Sequence, residues 1–578
     1  MLKRMLPFML AFFIPAGCSV ETGDRAGRQA GFQAWPVSIE TRIYSGAFSR
    51  EPEERIIRTA GLAGEFVSAQ VAVSGRNEIK ALRGSLSELR SESGGALSTS
   101  SVRVRYGAYV PVDETMNMTA DPLIENVSVD VPANRAQSVW LTVAVPGDAA
   151  DGLYEAKFSL SSAHGEGPVF DFTLEVLPAR LPEPPDWNFY LNIWQDPNGV
   201  ARAHKVQAWS EEHWSLLERY AANFGEHGLN SIMTSLVHDP WKGQSGYTFD
   251  SMVEWKYPGE WKAGGAAKFT WDFSIFDRYV SLMIGAGVRD KIDMYALVMG
   301  PGGTLDAHIR YLDTESGQYR TAQMQVGEPM WKEAWSAFLP VLREHLKQKG
   351  WFDIALLGFD EKTPKVMKVI FDYLIETAPD FKVAMSGGFP GDERKWGDEI
   401  VYHIDDMRSP ERWEKVRPMV ERMHADPDRF VSFYTACWPH FPNTFIFSGL
   451  RESRLMAWLA WKYGFDGYTR WAINAYPENV WEQPRYRWPS GDMFFVYPGP
   501  EGPLDSMRWE LLRQGIQDYE ALRIAWKAAE TAGRADLLEK LRRAVNAGAM
   551  IEACFRLPPI AEGREAVNEV LRELAPGG

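Results

Sequence analysis

Between residues 187 and 504 the chain repeats one pattern: a short apolar run of strand length, then an amphipathic stretch of helix length. Eight runs stand out: Asn188–Trp194, Ser231–Leu236, Ile292–Val298, Asp353–Phe359, Lys382–Ser386, Ile400–Ile404, Phe430–Thr435 and Gly467–Trp471. Trp331–Gln348 and Pro364–Thr377 are amphipathic segments between them. Eight strand–helix units over about 300 residues predict a (β/α)8 barrel. A barrel also fixes where chemistry sits, at the C-terminal ends of its strands.

The flanks read differently. In residues 34–180 short alternating runs recur, such as Phe66–Val73, Val102–Tyr106 and Ser138–Val145, separated by Gly, Asn, Asp and Pro. Regular strands with turn residues between them predict a β-sandwich. Leu181-Pro182-Glu183-Pro184-Pro185 reads as a stiff linker. Residues 505–578 read as helical, with Ser506–Ala529 and Arg534–Glu552 carrying Leu, Ala, Glu and Arg at helical spacing. The expected fold class is multidomain α/β: an N-terminal sandwich, a TIM-like barrel and a C-terminal helical segment.

The first residues read as export machinery. Met1-Leu2-Lys3-Arg4 precedes an apolar run from Met5 to Ala16, then Gly17-Cys18-Ser19. That run is too short to span a bilayer as a helix, and the arrangement is that of a secretory signal over residues 1–18. Small residues before Cys18 resemble the lipobox of bacterial lipoproteins, with lipidation expected on Cys18; Pro15 stands where that motif usually has an aliphatic residue. An ordinary cleaved signal is the alternative. Residues 19–33 are polar and Gly-rich, as a tether to a membrane would be. The expected location is a membrane, on its periplasmic or cell-surface face.

Composition removes several function classes. A net charge of −15 argues against a nucleic-acid partner, which needs a basic face. Three cysteines with no CxxC, and ten histidines with no HExxH, give no disulfide scaffold and no metal set. No phosphate loop, dinucleotide fingerprint or nucleophile elbow occurs, and no cofactor is expected. Twenty of the 23 tryptophans fall between residues 187 and 509. Most should fill the core, and some should offer flat faces for sugar rings.

The strand ends carry the candidate chemistry. The fourth run leads into Asp360-Glu361. Neighbours on a regular strand face opposite ways, so both carboxylates reach one cleft only if the strand ends or bulges at Glu361. Close carboxylates raise each other's proton affinity, which suits a general acid. An Asp-Glu dipeptide is also common as a helix cap or a solvated loop. Other strand ends supply Asn192, Trp194, His238, Asp405 and Tyr434. Carboxylates, amides, a phenol and indoles without a metal set are the chemistry of a sugar cleft.

The stretches Gly464–Trp471, Trp488–Asp492, Tyr497-Pro498-Gly499 and Ser506–Glu520 resemble the C-terminal signature of glycoside hydrolase family 123, which contains bacterial β-N-acetylgalactosaminidases. The family's layout, a β-sandwich followed by a (β/α)8 barrel, is similar to that read from residues 34–578. The resemblance implies that Asp360 and Glu361 are the family's adjacent catalytic pair. It also implies a substrate-assisted retaining mechanism, in which the sugar's 2-acetamido oxygen attacks the anomeric carbon. Asp360 would orient the acetamido N–H, and Glu361 would act as acid and then base. Tyr434 resembles the tyrosine that holds the acetamido carbonyl, and Trp471 stands where an indole floor is expected. The implied substrate is a glycan carrying β-linked N-acetylgalactosamine. Arg508 and Asp518, prominent in the signature, read as structural charges; Asp492 and Tyr497 stay open.

Two alternatives remain at this stage. One is a two-carboxylate glycosidase with Glu361 as acid and Asp196, Asp405 or Asp406 as nucleophile or base. The other is a surface lipoprotein that binds glycan without cutting it.

Overall fold

The computed structural model describes residues 31–46, 54–244, 246–387, 397–548 and 560–575. Cys18, the signal segment and nearly all of the tether lie outside these residues, as does Cys554. Among the described residues no helix is long and apolar enough to cross a membrane.

The N-terminal region is a sandwich of two sheets. One has five strands in the order Phe32–Val37, Phe66–Gly75, Ala136–Ala144, Val102–Val112, Asn117–Ile124. The other has seven, with Gly165–Arg180 and Gly152–Ser162 at its centre. The strand Gly152–Ser162 shows why this sequence pairs so: Tyr154, Ala156, Phe158 and Leu160 are buried on one face. Period-two alternation puts them inward. They meet Val71, Val139 and Leu141 of the facing sheet in a common core.

The expected linker does not hang free. Leu181 is fully buried, and its N–H donates to the Ala63 carbonyl at 2.9 Å. The Trp187 indole donates to the Pro182 carbonyl at 2.9 Å.

All eight expected barrel strands form one parallel sheet. They are β1 Tyr190–Ile193, β2 Ser231–Ser235, β3 Lys291–Tyr295, β4 Ala355–Asp360, β5 Lys382–Ser386, β6 Glu399–His403, β7 Phe430–Tyr434 and β8 Gly467–Arg470. Hydrogen bonding runs β1-β8-β7-β6-β5-β4-β3-β2. Between β1 and β2 the ring is closed by a single bridge, Leu191 to Leu229, and by Asn230. The Asn230 N–H donates to the Leu191 carbonyl at 3.0 Å, and its side-chain oxygen accepts from the Leu191 N–H at 2.7 Å. A side chain thus replaces a missing ladder bond.

Inside the ring, Gly358 of β4 makes room for the Tyr295 ring, since a Cβ there would lie 2.8 Å from it. Trp331 and Trp335, on the helix Pro329–Lys349, are almost wholly buried, as core tryptophans should be.

One feature interrupts the simple alternation. A four-stranded sheet, in the order Thr270–Asp272, Glu254–Tyr257, Asp306–Asp313, Gln318–Gln325, is inserted after β2 and β3. Both insertions leave the C-terminal ends of their strands, so this sheet builds on the C-terminal face of the barrel.

The long helix Met507–Thr531 ties the regions together. Arg508 donates to Asp121 of the sandwich at 3.0 Å, and Glu520 accepts from the N–H groups of Asn188 and Phe189 at the barrel entrance. Asp518 accepts from Arg454 at 2.6 Å and from Arg564 at 3.0 Å. Arg508 and Asp518 are therefore buried structural charges, each paired with other partners rather than with one another. The described part of the second expected helix is Ala535–Gly548, and Ile560–Glu573 packs beside it.

Candidate active site

β4 ends at Asp360, and the next residue leaves the strand geometry: Glu361 has φ 46°, in the left-handed region. A non-glycine residue there is strained and must be held. Two backbone bonds hold it: the Glu361 N–H donates to the Ser386 carbonyl at 2.9 Å, and the Glu361 carbonyl accepts from the Gly302 N–H at 2.9 Å. The turn brings both carboxylates to one cavity of about 120 Å³ at the C-terminal mouth of the barrel.

Residues from five strand ends meet in that cavity. Trp194 follows β1, Ser386 ends β5, Tyr434 ends β7, and Trp471 follows β8. Tyr434 donates its hydroxyl to Glu361 Oε1 at 2.7 Å. Burial and the neighbouring Glu361 charge push the Tyr434 phenol well above the ordinary tyrosine range, so it stays a donor. The Trp471 indole donates to Asp492 Oδ2 at 2.6 Å, and Asp492 Oδ1 accepts from buried Arg470 at 2.8 Å. Asp492 thus lines the cavity as an anchor for the Trp471 ring. Tyr497 belongs elsewhere, donating to Asp121 at 2.8 Å.

Electrostatics separate the two carboxylates. Burial and the Glu361 charge raise the Asp360 carboxyl from its ordinary value to about 7, while Lys362 opposes the rise. Lys362 is itself 5% exposed and donates to the Met299 carbonyl at 3.2 Å. Burial lowers its ammonium to about 8, against the pull of Asp360. A carboxyl that titrates near neutrality in a cleft, beside a second carboxylate, is a proton-handling pair.

The other sequence candidates fall elsewhere. Asn192 is buried in the barrel floor, donating to Asp293 at 2.9 Å and to Glu399 at 3.2 Å. His238 lines a separate cleft of about 390 Å³ with Trp209, Asp250, Arg310 and Tyr319. Asp405 sits in the turn after β6, accepting from Arg408 at 3.0 Å. None of the three lines the cavity of Asp360 and Glu361. Asp196 caps the helix Pro197–His204, accepting from the Gly199 N–H and from Arg202, both at 2.8 Å. Sequence reasoning missed several lining residues, among them Gln244, Ser386, Thr469 and Trp488. Ser386 was accessible as the last residue of an expected strand; Gln244 lies on a long loop with no signal.

Among the described residues one group has metal-ligand geometry, His227 with Asp505 and Glu510. The Arg105 guanidinium already pairs with both carboxylates, lying 2.5 Å from Asp505 and 3.0 Å from Glu510.

Comparison with known proteins agrees with this layout. Residues 47–162 match the glycoside hydrolase 123 N-terminal domain, and residues 194–525 match the glycoside hydrolase 123 catalytic domain. Among solved structures, a family 123 glycoside hydrolase from Clostridium perfringens superposes with a TM-score of 0.80 at 18% identity, covering 94% of this chain and 98% of that one. A Bacteroides ovatus GH5 xyloglucanase (TM-score 0.29, 8% identity, 84% of this chain and 100% of that one) is too remote to bear on the argument. So is a family 39 glycoside hydrolase from Bacteroides cellulosilyticus (0.31, 10%, 80% and 82%). No curated protein sequence matches the chain. With the catalytic-domain match running over more than half of the chain and through both carboxylates of the cavity, this protein belongs to glycoside hydrolase family 123.

Proposed function

We propose that this glycosidase releases β-linked N-acetylgalactosamine from glycans by substrate-assisted catalysis. The observation that carries the reading is the convergence of Asp360 and Glu361 on one cavity, with no unpaired carboxylate across from them among the described lining residues. The third lining carboxylate, Asp492, is committed to Arg470 and Trp471. A retaining enzyme with its own nucleophile needs that group about 5–5.5 Å from the acid, on the other side of the bond. A nucleophile carried by the substrate removes that need.

The steps follow from the geometry. The acetamido N–H donates to Asp360, which favours the charged form of a group otherwise poised near 7. The proton of the pair is then held by Glu361, the exposed member. The acetamido oxygen attacks the anomeric carbon as Glu361 protonates the departing oxygen, leaving an oxazolinium ion beside the Asp360 carboxylate. Glu361, now charged, takes a proton from water, which opens the ring with net retention. Tyr434 already touches Glu361 and is placed to hold the acetamido group. Trp471, pinned by Asp492, supplies the floor for the sugar ring.

A series of aryl glycosides with none, one, two or three fluorines on the acetamido methyl tests this. Fluorine weakens the carbonyl oxygen as a nucleophile, so kcat/KM should fall steeply along the series. A flat series would remove the acetamido group from the reaction.

The glycolipid glycans named for the Clostridium perfringens enzyme are a reasonable first class of natural substrate. Export and a lipid anchor on Cys18 belong to the same proposal, supported by the basic start, short apolar run and Gly17-Cys18. Cys18→Ser should move the protein from the membrane fraction to the soluble one; continued membrane association would refute the anchor.

A further inference from the structure

We infer that Trp438 is the platform for the sugar on the leaving side of the scissile bond. The inference rests on the functional reading above, because it needs Glu361 to be the acid.

Trp438 is 62% exposed in a protein that hides most of its large apolar side chains. Its place in the chain is not random. Thr435, Ala436 and Cys437, which lead from the end of β7 to Trp438, line the cavity of Asp360 and Glu361. The exposed indole is therefore carried by the residue that directly follows the cavity lining in the chain.

The indole is also held still. The Trp438 carbonyl accepts from His403 Nε2 at 3.0 Å. The Trp438 ring leans on His440, with centroids 5.3 Å apart, and His440 packs on Phe445 and Phe447. An ordered, exposed indole has already lost the freedom that ligand binding would otherwise cost it.

The side of the bond follows from one chain of contacts. His403, which holds the Trp438 backbone, stands edge-on to the Tyr434 ring with centroids 4.9 Å apart. Tyr434 in turn donates to Glu361. The general acid delivers its proton to the departing oxygen, so the leaving residue must pass over the Glu361 side of the cavity. Trp438 is tied to that side through His403 and Tyr434. A glycan that continues past the departing oxygen leaves the cavity on this side. The chemistry of an exposed indole suits the apolar C–H face of a pyranose such as galactose.

The test compares two substrates that differ only on the leaving side. One is methyl β-N-acetylgalactosaminide, with no ring to stack; the other is N-acetylgalactosamine β-linked to galactose. Release of free N-acetylgalactosamine is measured for the wild type, Trp438→Ala and Trp438→Phe. The ratio of kcat/KM for the disaccharide to that for the methyl glycoside should fall about tenfold in Trp438→Ala, and Trp438→Phe should keep most of it. An unchanged ratio in Trp438→Ala overturns the platform while leaving the functional reading intact. A wild type that cleaves neither substrate overturns that reading and the platform with it.

Discussion

Asp360 and Glu361 are consecutive residues whose side chains reach the same cavity because the strand stops at the first and the second has φ 46°. A continued strand would have sent one carboxylate into the barrel wall. The pair is therefore a product of backbone strain held in place by Ser386 and Gly302.

Gly387 guards that turn. It has φ 94°, and a Cβ on it would lie 3.1 Å from Glu361 Cγ and 3.2 Å from Glu361 Cα. Gly387→Ala should lower kcat by about tenfold or more while the far-ultraviolet circular dichroism stays native. Full activity in this variant would show that the Glu361 position tolerates displacement.

The Asp360 carboxyl, raised to about 7 in the free enzyme, holds the single proton of the pair, and the mechanism needs that proton handed to Glu361. The basic limb of kcat/KM should therefore break near pH 7, with the rate falling as pH rises and the pair loses its last proton. Stability moves the same way. The folded value lies above the ordinary 3.8, so the stability this group contributes is present below about pH 4 and lost as pH rises through 7. Asp360→Asn should therefore be more stable than wild type at pH 8, on the order of 2 kcal/mol after allowing for partial exposure, and equal to it near pH 3.5. Thermal unfolding at the two pH values checks the sign.

Trp471 is oriented through its indole N–H on Asp492. Trp471→Phe keeps an aromatic face but loses that tether, and should raise KM by about threefold to tenfold. Trp471→Ala removes the face and should cost about 100-fold in kcat/KM. Steady-state kinetics on an aryl N-acetylgalactosaminide distinguishes them; equal losses would mean that the anchor, not the ring face, matters.

The sandwich braces the barrel through buried charge. Asp121 accepts from Arg508 at 3.0 Å and from Tyr497 at 2.8 Å, and none of the three lines the cavity. Asp121→Ala leaves the Arg508 guanidinium buried with backbone carbonyls but without its carboxylate and should destabilise the protein by about 3–5 kcal/mol. Thermal unfolding should show the loss, with kcat little changed well below the transition.

Much of this architecture can be read from the sequence because barrel strands buried on both faces appear as plain apolar runs. Asp360 and Glu361 can be read because they follow such a run. Depth inside the barrel cannot. Asn192 and Trp194 are two residues apart and both point inward, about 7 Å from one another along the strand. One lands in the floor with Asp293 and Glu399, the other in the cavity. His238 lies three residues past the end of β2, where the chain has already turned away. In the inserted sheet, Glu254–Tyr257 and Thr270–Asp272 are short, and Gln318–Gln325 is polar and largely exposed, with no apolar period to read; Asp306–Asp313 does alternate, with Ala307, Ile309 and Tyr311 buried, and that signal was missed.

The central claim is that the substrate's acetamido group does the work of an enzyme nucleophile, with Asp360 and Glu361 serving it. The most direct measurement is kcat/KM on matched aryl β-N-acetylgalactosaminide and aryl β-galactoside, for wild type, Asp360→Asn and Glu361→Gln. The account predicts turnover of the acetamido sugar alone, reduced at least about 1000-fold by Asp360→Asn. Comparable turnover of the plain galactoside, or an Asp360→Asn variant as active as wild type, would contradict it.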